Sequence, residues 1–260
     1  MKWFFATLLA LIVLLVVALV NIPATIVPYA LNEAKVRGLL PPQAPRVTLA
    51  DVDGTLWQGG ANQTEIVLDG VPLNLGRLEW KIDVGALMER VARIDLSTRS
   101  EQINLIANVS AVESGVITVR GLEGHLPISV LEPWFPKLVT GDIGFVVDKL
   151  VFTQQQLMAL DGLLNLEYVD WVGADHNMPL GSYMAQMGVN DNHDLVVNLH
   201  DFAARLGIDG KFVLNNLGQY QFNATLTPRE GLAPEVAQSI TWLGKADRSG
   251  NVTINKRGRM

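Results

Sequence analysis

The run Val47-Thr48-Leu49-Ala50-Asp51-Val52-Asp53-Gly54-Thr55-Leu56-Trp57-Gln58-Gly59-Gly60 is the one local pattern in the chain that could announce a reaction. Two carboxylates one residue apart, just before a Gly turn, suit phosphoryl transfer through an aspartyl intermediate. One oxygen attacks phosphorus, the second carboxylate moves the proton, and Mg²⁺ neutralises the phosphate. The competing reading is a strand running into a Gly-containing turn, with Trp57 as a core anchor behind it. Other chemistry-bearing residues form no pattern. His125, His176, His193 and His200 include no i,i+4 helical pair and no His-Glu-x-x-His spacing, so no metal site is expected. There is no Gly-x-Ser-x-Gly elbow and no Gly-x₄-Gly-Lys-Ser/Thr loop. Trp80, Trp171, Trp242 and Tyr168 read as core or edge packing rather than a ligand platform.

The elements available to position such residues follow from composition. At 260 residues the chain can bury a sizeable core, as one large domain or two small ones. Its 20 basic and 26 acidic residues form no basic stripe, which excludes nucleic acid as a partner. Charged residues are 18% and apolar residues 49%, pointing to a membrane segment, a lipid-facing groove, or both. With no cysteine there is no disulfide, no thiolate chemistry and no Cys-ligated zinc, and the composition fits an oxidising compartment. Residues 3–20 carry no charge, a length suited to a membrane-spanning helix with Trp3 at the interface. A cleaved signal peptide is the alternative, but its apolar region is shorter and needs a small-x-small site, which Ala18-Leu19-Val20 matches poorly. Lys35, Arg37 and Arg46 follow the segment, so counting positive charges does not itself choose the orientation. The expected topology is a short cytoplasmic tail and an extracytoplasmic body.

Residues 24–40 read as a juxtamembrane helix broken at Pro28, and Pro41-Pro42-Gln43-Ala44-Pro45 as a stiff linker. The period then changes to two. Leu78, Trp80, Ile82 and Val84 alternate with charged residues, and Ile103 to Val109 and Tyr220 to Leu226 alternate likewise. Further strands are expected over 115–121, 141–152, 161–172, 181–189, 194–199, 207–215 and 251–255. Helices are few: 84–93, single turns at 157–160 and 201–206, and 232–243 with Pro234 in its first turn. The fold class is therefore mainly β: one N-terminal transmembrane helix, then a curved antiparallel β-sheet meander with a few short helices. The divisions are 1–22 (anchor), 23–45 (juxtamembrane helix and Pro-rich linker) and 46–260 (β-rich domain).

This organisation weighs against the phosphoryl-transfer reading. A haloacid-dehalogenase-type phosphohydrolase needs a parallel sheet with crossover helices, and the helices are missing. The strand before its nucleophile should be a buried apolar run, whereas residues 46–50 alternate. Its second acidic motif is mimicked only by Gly141-Asp142 with Asp148. An apolar–acid–Gly triplet also recurs at Val52-Asp53-Gly54, Leu68-Asp69-Gly70, Leu122-Glu123-Gly124, Leu160-Asp161-Gly162 and Ile208-Asp209-Gly210. Acid followed by Gly suits a turn, so these are read as bends. No catalytic residue, cofactor or metal is assigned. The Lys256-Arg257-Gly258-Arg259 tail reads as a solvated end, with contact to an anionic lipid or a partner as the lesser use.

Val-x-Leu-x-x-Val-x-Gly-Thr-Leu-Trp-x-Gly at residues 47–59, Leu78-x-Trp80, Gly207-Ile208-Asp209-Gly210 and Gly218-Gln219-Tyr220 before Ala224-x-Leu226-x-Pro228 occur in that order. With an N-terminal anchor and a Pro-rich exit before them, they resemble type II secretion system protein N, also called general secretion pathway protein N. The resemblance covers nearly the whole chain. It implies a non-enzymatic, single-pass inner-membrane component with a periplasmic β-rich domain, without a cofactor, supporting export of folded proteins across the outer membrane. Other secretion-system envelope proteins would be its partners, with the inner membrane engaged through residues 3–20. Gly54, Thr55, Leu56, Trp57 and Gly59 would be structural, with Gly54 and Gly59 bracketing a strand or bulge and Trp57 plugging the end of the sheet; Trp80 joins them as a structural residue. The rival is an AsmA-like periplasmic protein holding lipid in a β-groove, which the apolar composition supports equally well.

Overall fold

The computed structural model describes residues 17–37, 45–68, 70–133, 138–153, 156–173, 177–202 and 204–259. The expected anchor lies largely outside them; of it, residues 17–20 are helical. No helix among the described residues is long and apolar enough to cross a membrane. His176, Asp69 and most of the Pro-rich linker also lie outside the described residues. The chain divides into two units, residues 1–101 and 102–260.

In the first unit, α1 (Ile26–Val36) precedes β1 (Arg46–Gly54), β2 (Gln58–Leu68), β3 (Val71–Ile82), α2 (Val84–Met88) and β4 (Val91–Arg99). The strands lie in sequence order, each antiparallel to the next. Pro28 does not break α1, contrary to expectation. It is the helix's third residue, where the backbone N–H has no intrahelical acceptor to lose. The helix expected over 84–93 stops at Met88. Asp83 caps its start through Ala86 N–H (3.1 Å), and Arg90, at φ 60°, turns the chain into β4. There Ile94 and Leu96 pair with Ile82 and Trp80, and their apolar contact favours the extended state. Ala24, Ala61 and Trp80 form the buried centre, ringed by Val27, Leu49, Val52, Leu78, Ile82, Ile94 and Leu96.

The second unit contains β5 (Asn104–Val112), β6 (Ile117–Pro127), a 3₁₀ turn (Ile128–Leu131), β7 (Val139–Phe152), β8 (Leu157–Val172), β9 (Asn177–Val189) and β10 (Leu195–Phe202). It continues with β11 (Leu206–Leu214), β12 (Gln219–Pro228), α3 (Pro234–Ile240), β13 (Lys245–Ala246) and β14 (Val252–Arg259). From β5 to β12 neighbours in sequence are neighbours in the sheet; β14 then lies beside β12, with the short β13 outside it. Every pair is antiparallel. The expected antiparallel meander is thus observed within each unit, with few short helices.

The single turns expected at 157–160 and 201–206 do not form. Leu157 to Leu160 open β8 and pair with β7, while Asp201 and Phe202 continue β10 opposite Tyr183 and Ser182. Cross-strand partners satisfy these backbones, so a local helical turn has nothing to add. Helix α3 ends at Ile240, short of the expected Leu243, and packs Val236 and Ile240 against the sheet among Leu226, Val252 and Ile254. Leu243 is exposed, and Trp242 and Tyr168 are 87% and 77% exposed rather than packed. Trp171 does pack, half-buried, against the core.

The reading of acid–Gly triplets as bends holds at Gly54 and Gly70, both with φ above +80°. It fails at Gly124, Gly162 and Gly210, which lie inside β6, β8 and β11. A cross-strand neighbour occupies the room of the missing side chain. A Cβ on Gly124 would stand 2.5 Å from Phe145 Cζ, one on Gly162 3.1 Å from Val147 Cγ2, and one on Gly210 3.0 Å from Ala224 Cβ. Glycine serves close approach there, not reversal. The basic tail is exposed, as a solvated end would be, and it forms part of a strand, because residues 252–259 form β14.

Candidate functional site

Residues 54–59 form a corner where β1 turns into β2, and the chain's N-terminal segment docks upon it. Gly54, at φ 84°, starts the turn; a Cβ there would meet Gln58 O at 2.6 Å and Gly59 Cα at 2.8 Å. Thr55 closes it: its N–H donates to Gln58 O (2.8 Å), and its Oγ1 accepts from Gln58 N–H (3.2 Å). Gly59 sits under Trp80, so a Cβ would lie 2.7 Å from Asp53 O, 2.8 Å from Thr55 O and 2.8 Å from Trp80 Cζ2. The Trp80 indole N–H donates to Leu56 O (3.0 Å), and Ile82 N–H donates to Trp57 O (2.7 Å).

Residues 22–24 then lie against the corner. Pro23 bridges Thr55 antiparallel, Leu56 N–H donates to Ile22 O (2.8 Å), and Ala24 N–H donates to Gly54 O (3.1 Å). The Trp57 indole N–H donates to Leu19 O (2.8 Å), thirty-eight residues away in sequence. Trp57 is half-buried, and the indole that fills the core is Trp80. Ala24 has 0% exposure beside it. All six residues singled out in the sequence therefore converge. The docking segment, Leu19 to Ala24, was not singled out; its one local signal is a small residue directly after Ile22-Pro23.

The two carboxylates of the corner are placed unlike a phosphoryl-transfer pair. Both stand on β1, which pairs antiparallel with β2. Asp53 is held by Arg77 (Nη1 to Oδ2, 3.2 Å), whose guanidinium also donates to Glu79 Oε1 (2.8 Å) and to Asn62 Oδ1. Hydrogen bonding to Glu79, then to Asp53, raises the Arg77 pKa above its ordinary value. Asp51 has a left-handed backbone (φ 51°), and its carbonyl accepts from Asn62 Nδ2 at 3.4 Å. Asp142 and Asp148 are six residues apart along β7, a separation of about 20 Å, too far to share an ion. His125 lies 3.6 Å from Asp142 and His200 3.5 Å from Asp209, each as an isolated surface pair. Among the described residues no three His, Asp or Glu side chains converge as metal ligands.

A second polar cluster, in the second unit, has no counterpart in the sequence reading. Arg229 grips Asp201 with two nitrogens (2.6 and 3.1 Å) and donates to Ala204 O (2.9 Å). Asp201 also accepts from Ile208 N–H (3.0 Å), and nearby Tyr183 donates to Leu206 O (3.1 Å). Burial acts to raise the Asp201 pKa, but Arg229 and the backbone N–H groups outweigh it and hold the carboxyl below its usual range. Burial, with Asp201 adding to it, pushes the Tyr183 phenol up to about 12. Arg229 and Asp201 are twenty-eight residues apart, and no spacing announces them. A shallow cavity of about 370 Å³ is lined by Asp161, Gln186, Asn198 and Lys211 together with Leu160, Met187, Val189 and Val196.

An antiparallel meander, joined through a glycine-built corner to an N-terminal helical segment, defines a scaffold class in which the marked residues hold the chain together. The chain belongs to the type II secretion system protein N family, whose model matches residues 45–255. It is 26% identical over 258 residues to a type II secretion system protein N of Aeromonas hydrophila, covering 93% of this chain and 92% of that protein. It is 23% identical over 228 residues to the protein of that name in Vibrio cholerae serotype O1 (strain ATCC 39315 / El Tor Inaba N16961), covering 82% and 84% respectively. No solved structure gives a significant match. Family membership makes the chain a component of the type II secretion system, with other components of that system as partners.

Proposed function

We propose that the chain is a non-enzymatic, membrane-tethered interaction module: residues 3–20 anchor it in the inner membrane, and its β-rich residues 46–260 stand in the periplasm, supporting export of folded proteins across the outer membrane. The observation that carries this is the docking of residues 19–24 on the Gly54–Trp57 corner. A tether meant only to keep a domain nearby needs no such contact. An indole hydrogen bond to Leu19, at the end of the apolar run, and a backbone bridge at Pro23, just after it, fix the first unit to this segment. Movement or position in the membrane is then transmitted to the sheet. The test has two parts. Alkaline carbonate washing should leave the full chain in the membrane fraction, and protease should remove a C-terminal epitope in spheroplasts but not in intact cells. Release by carbonate, or an epitope protected in spheroplasts, overturns the reading. Purification from membranes at native expression should recover other secretion components, and recovery of none counts equally against it.

One observation favours the lipid-handling alternative. The inner face of the second unit continues beyond the patch that α3 covers. Val147, Gly162, Met187, Val197, Phe212 and Phe222 follow one another by cross-strand pairing, so they share a face. Met187, Val197, Phe212 and Phe222 are only half-buried. A photo-crosslinking amino acid at Phe212 in the full chain, activated in cells, separates the readings: lipid adducts identified by mass spectrometry support the groove, and their absence removes it.

A further inference from the structure

We propose that the outer edge of β14, over Asn255–Arg259, receives an extended acidic segment of a partner protein, which joins the sheet as a strand in the row that β13 begins. This rests on the interaction-module reading and names its contact surface. β14 pairs with β12 along its whole length, from Val252 opposite Leu226 to Arg259 opposite Gln219. On its other side β13 covers only Val252 and Thr253. Gly244, just before β13, packs closely against the Thr253 carbonyl. Among the described residues no strand pairs with this side from Ile254 onward. The register with β12 is unbroken, and no residue of β14 has positive φ. A row of N–H and C=O groups with no partner strand among the described residues is a template for another strand.

The edge of β1 in the first unit is guarded by comparison. Asp51 interrupts its extended backbone, and Pro23 occupies the position beyond Gly54. β14 carries only charge. Lys256, Arg257 and Arg259 are all exposed, with Lys245 and Arg248 exposed just before them. Asp247, the neighbouring acid, is committed to its own turn through Ser249 N–H, Asn251 N–H and Asn251 Nδ2. A second copy of the strand would set these cations against their like, whereas acidic side chains opposite them are favoured. Three and two residues before β13 stand Trp242, 87% exposed, and Leu243, 49% exposed. The incoming segment is therefore acidic along the row and apolar where it meets Trp242.

The test uses the full chain in nanodiscs of zwitterionic lipid and a fluorescent ten-residue peptide of alternating Glu and Val with a C-terminal Leu. The peptide should bind with salt-sensitive affinity. Reversing Arg257 and Arg259, which share one face of β14, to Glu should weaken it by about twentyfold or more, on a scale of about fivefold per cross-strand charge pair. The same peptide N-methylated at alternate amides, tried in both phases, should lose binding in one phase, since that edge is the one that pairs. If both methylated forms bind as well as the parent, contact is by charge alone and the proposal fails. It also fails if the peptide does not bind, if phosphatidylglycerol vesicles alone compete for Lys256, Arg257 and Arg259, or if Asn255→Cys cross-links two copies. Because the methylated peptides are tested on the unaltered chain, misfolding of the charge-reversed variant does not rescue the idea. If both the unaltered and reversed chains recover secretion components from membranes, the module reading stands and this edge is wrong. If neither does, the module reading itself falls.

Discussion

Gly59→Ala tests the corner most directly, because the new methyl group has nowhere to go. Its position is fixed by Asp53 O at 2.7 Å, Thr55 O at 2.8 Å and Trp80 Cζ2 at 2.8 Å. Two of those atoms are backbone on the opposing strand and turn, and the third is the ring at the centre of the core. Overpacking costs about 1–3 kcal/mol where side chains can yield; with backbone on one side and a buried indole on the other, the upper value, about 3 kcal/mol, applies. For a unit of about a hundred residues each kcal/mol lowers the melting temperature by about 4–8 °C, so the first unit should melt about 12–24 °C lower. The assay is thermal unfolding of the full chain in detergent, followed by circular dichroism. Amide hydrogen exchange over residues 17–24 and 54–61 shows whether the loss starts at the corner. Gly144→Ala is the control, since a Cβ there meets nothing within 4 Å, and it should be neutral or slightly favourable in a strand. If Gly59→Ala melts with the unaltered chain and keeps its exchange pattern, the steric account of the Gly-Thr-Leu-Trp-x-Gly run is wrong.

Other expectations follow from single contacts. Trp57→Phe removes the indole bond to Leu19 O; the loss of about 1 kcal/mol should appear as faster proteolysis between residues 19 and 46, with the sheet intact. Thr64 is 1% exposed and its hydroxyl has no hydrogen-bond partner among the described residues, so Thr64→Val should raise stability by about 1 kcal/mol in denaturant titration, and a lower midpoint would count against the burial. Asp201, with its pKa held low, contributes stability that is complete above about pH 4 and lost as pH falls through its folded value, so Asp201→Asn should flatten the acid limb of the stability profile. Tyr183, raised to about 12, favours the folded state below pH 10 and loses that preference as pH climbs toward 12; Tyr183→Phe should flatten the alkaline limb.

The parts of the fold that could be read beforehand are those where one face of a strand is buried and the other wet. Leu78, Trp80 and Ile82, and Phe222, Ala224 and Leu226, alternate because the sheet has a core side. β2 escaped because Gly59-Gly60-Ala61-Asn62 has no such alternation. Its extended state is imposed by hairpin pairing with β1 and β3 on either side and by the ring of Trp80 twenty-one residues beyond Gly59. The same blindness turned Gly124, Gly162 and Gly210 into expected bends, since a glycine making room for Phe145 or Val147 looks locally like a glycine permitting a turn. The corner was half legible. Its glycines and Trp80 stand out by type and order, but the bond from Trp57 to Leu19, like that from Arg229 to Asp201, spans too much chain for spacing to reveal.

The corner also explains why a run that resembles a phosphate-handling loop is not arranged as one. Such a loop needs unengaged backbone N–H groups facing the anion and a carboxylate open to the reacting centre. Here Thr55 N–H is committed to Gln58 O and Leu56 N–H to Ile22 O. The Asp53 carboxylate faces Arg77, a cation fixed in place by Glu79 and Asn62. Residues that would cradle a ligand in one setting are occupied in this one by the protein's own N-terminal segment. Pulling that segment away would expose the N–H of Leu56, the carbonyl of Gly54 and the apolar surface that Ala24 covers, all at once. Separation of segment and sheet is therefore cooperative, since these contacts are made or lost together.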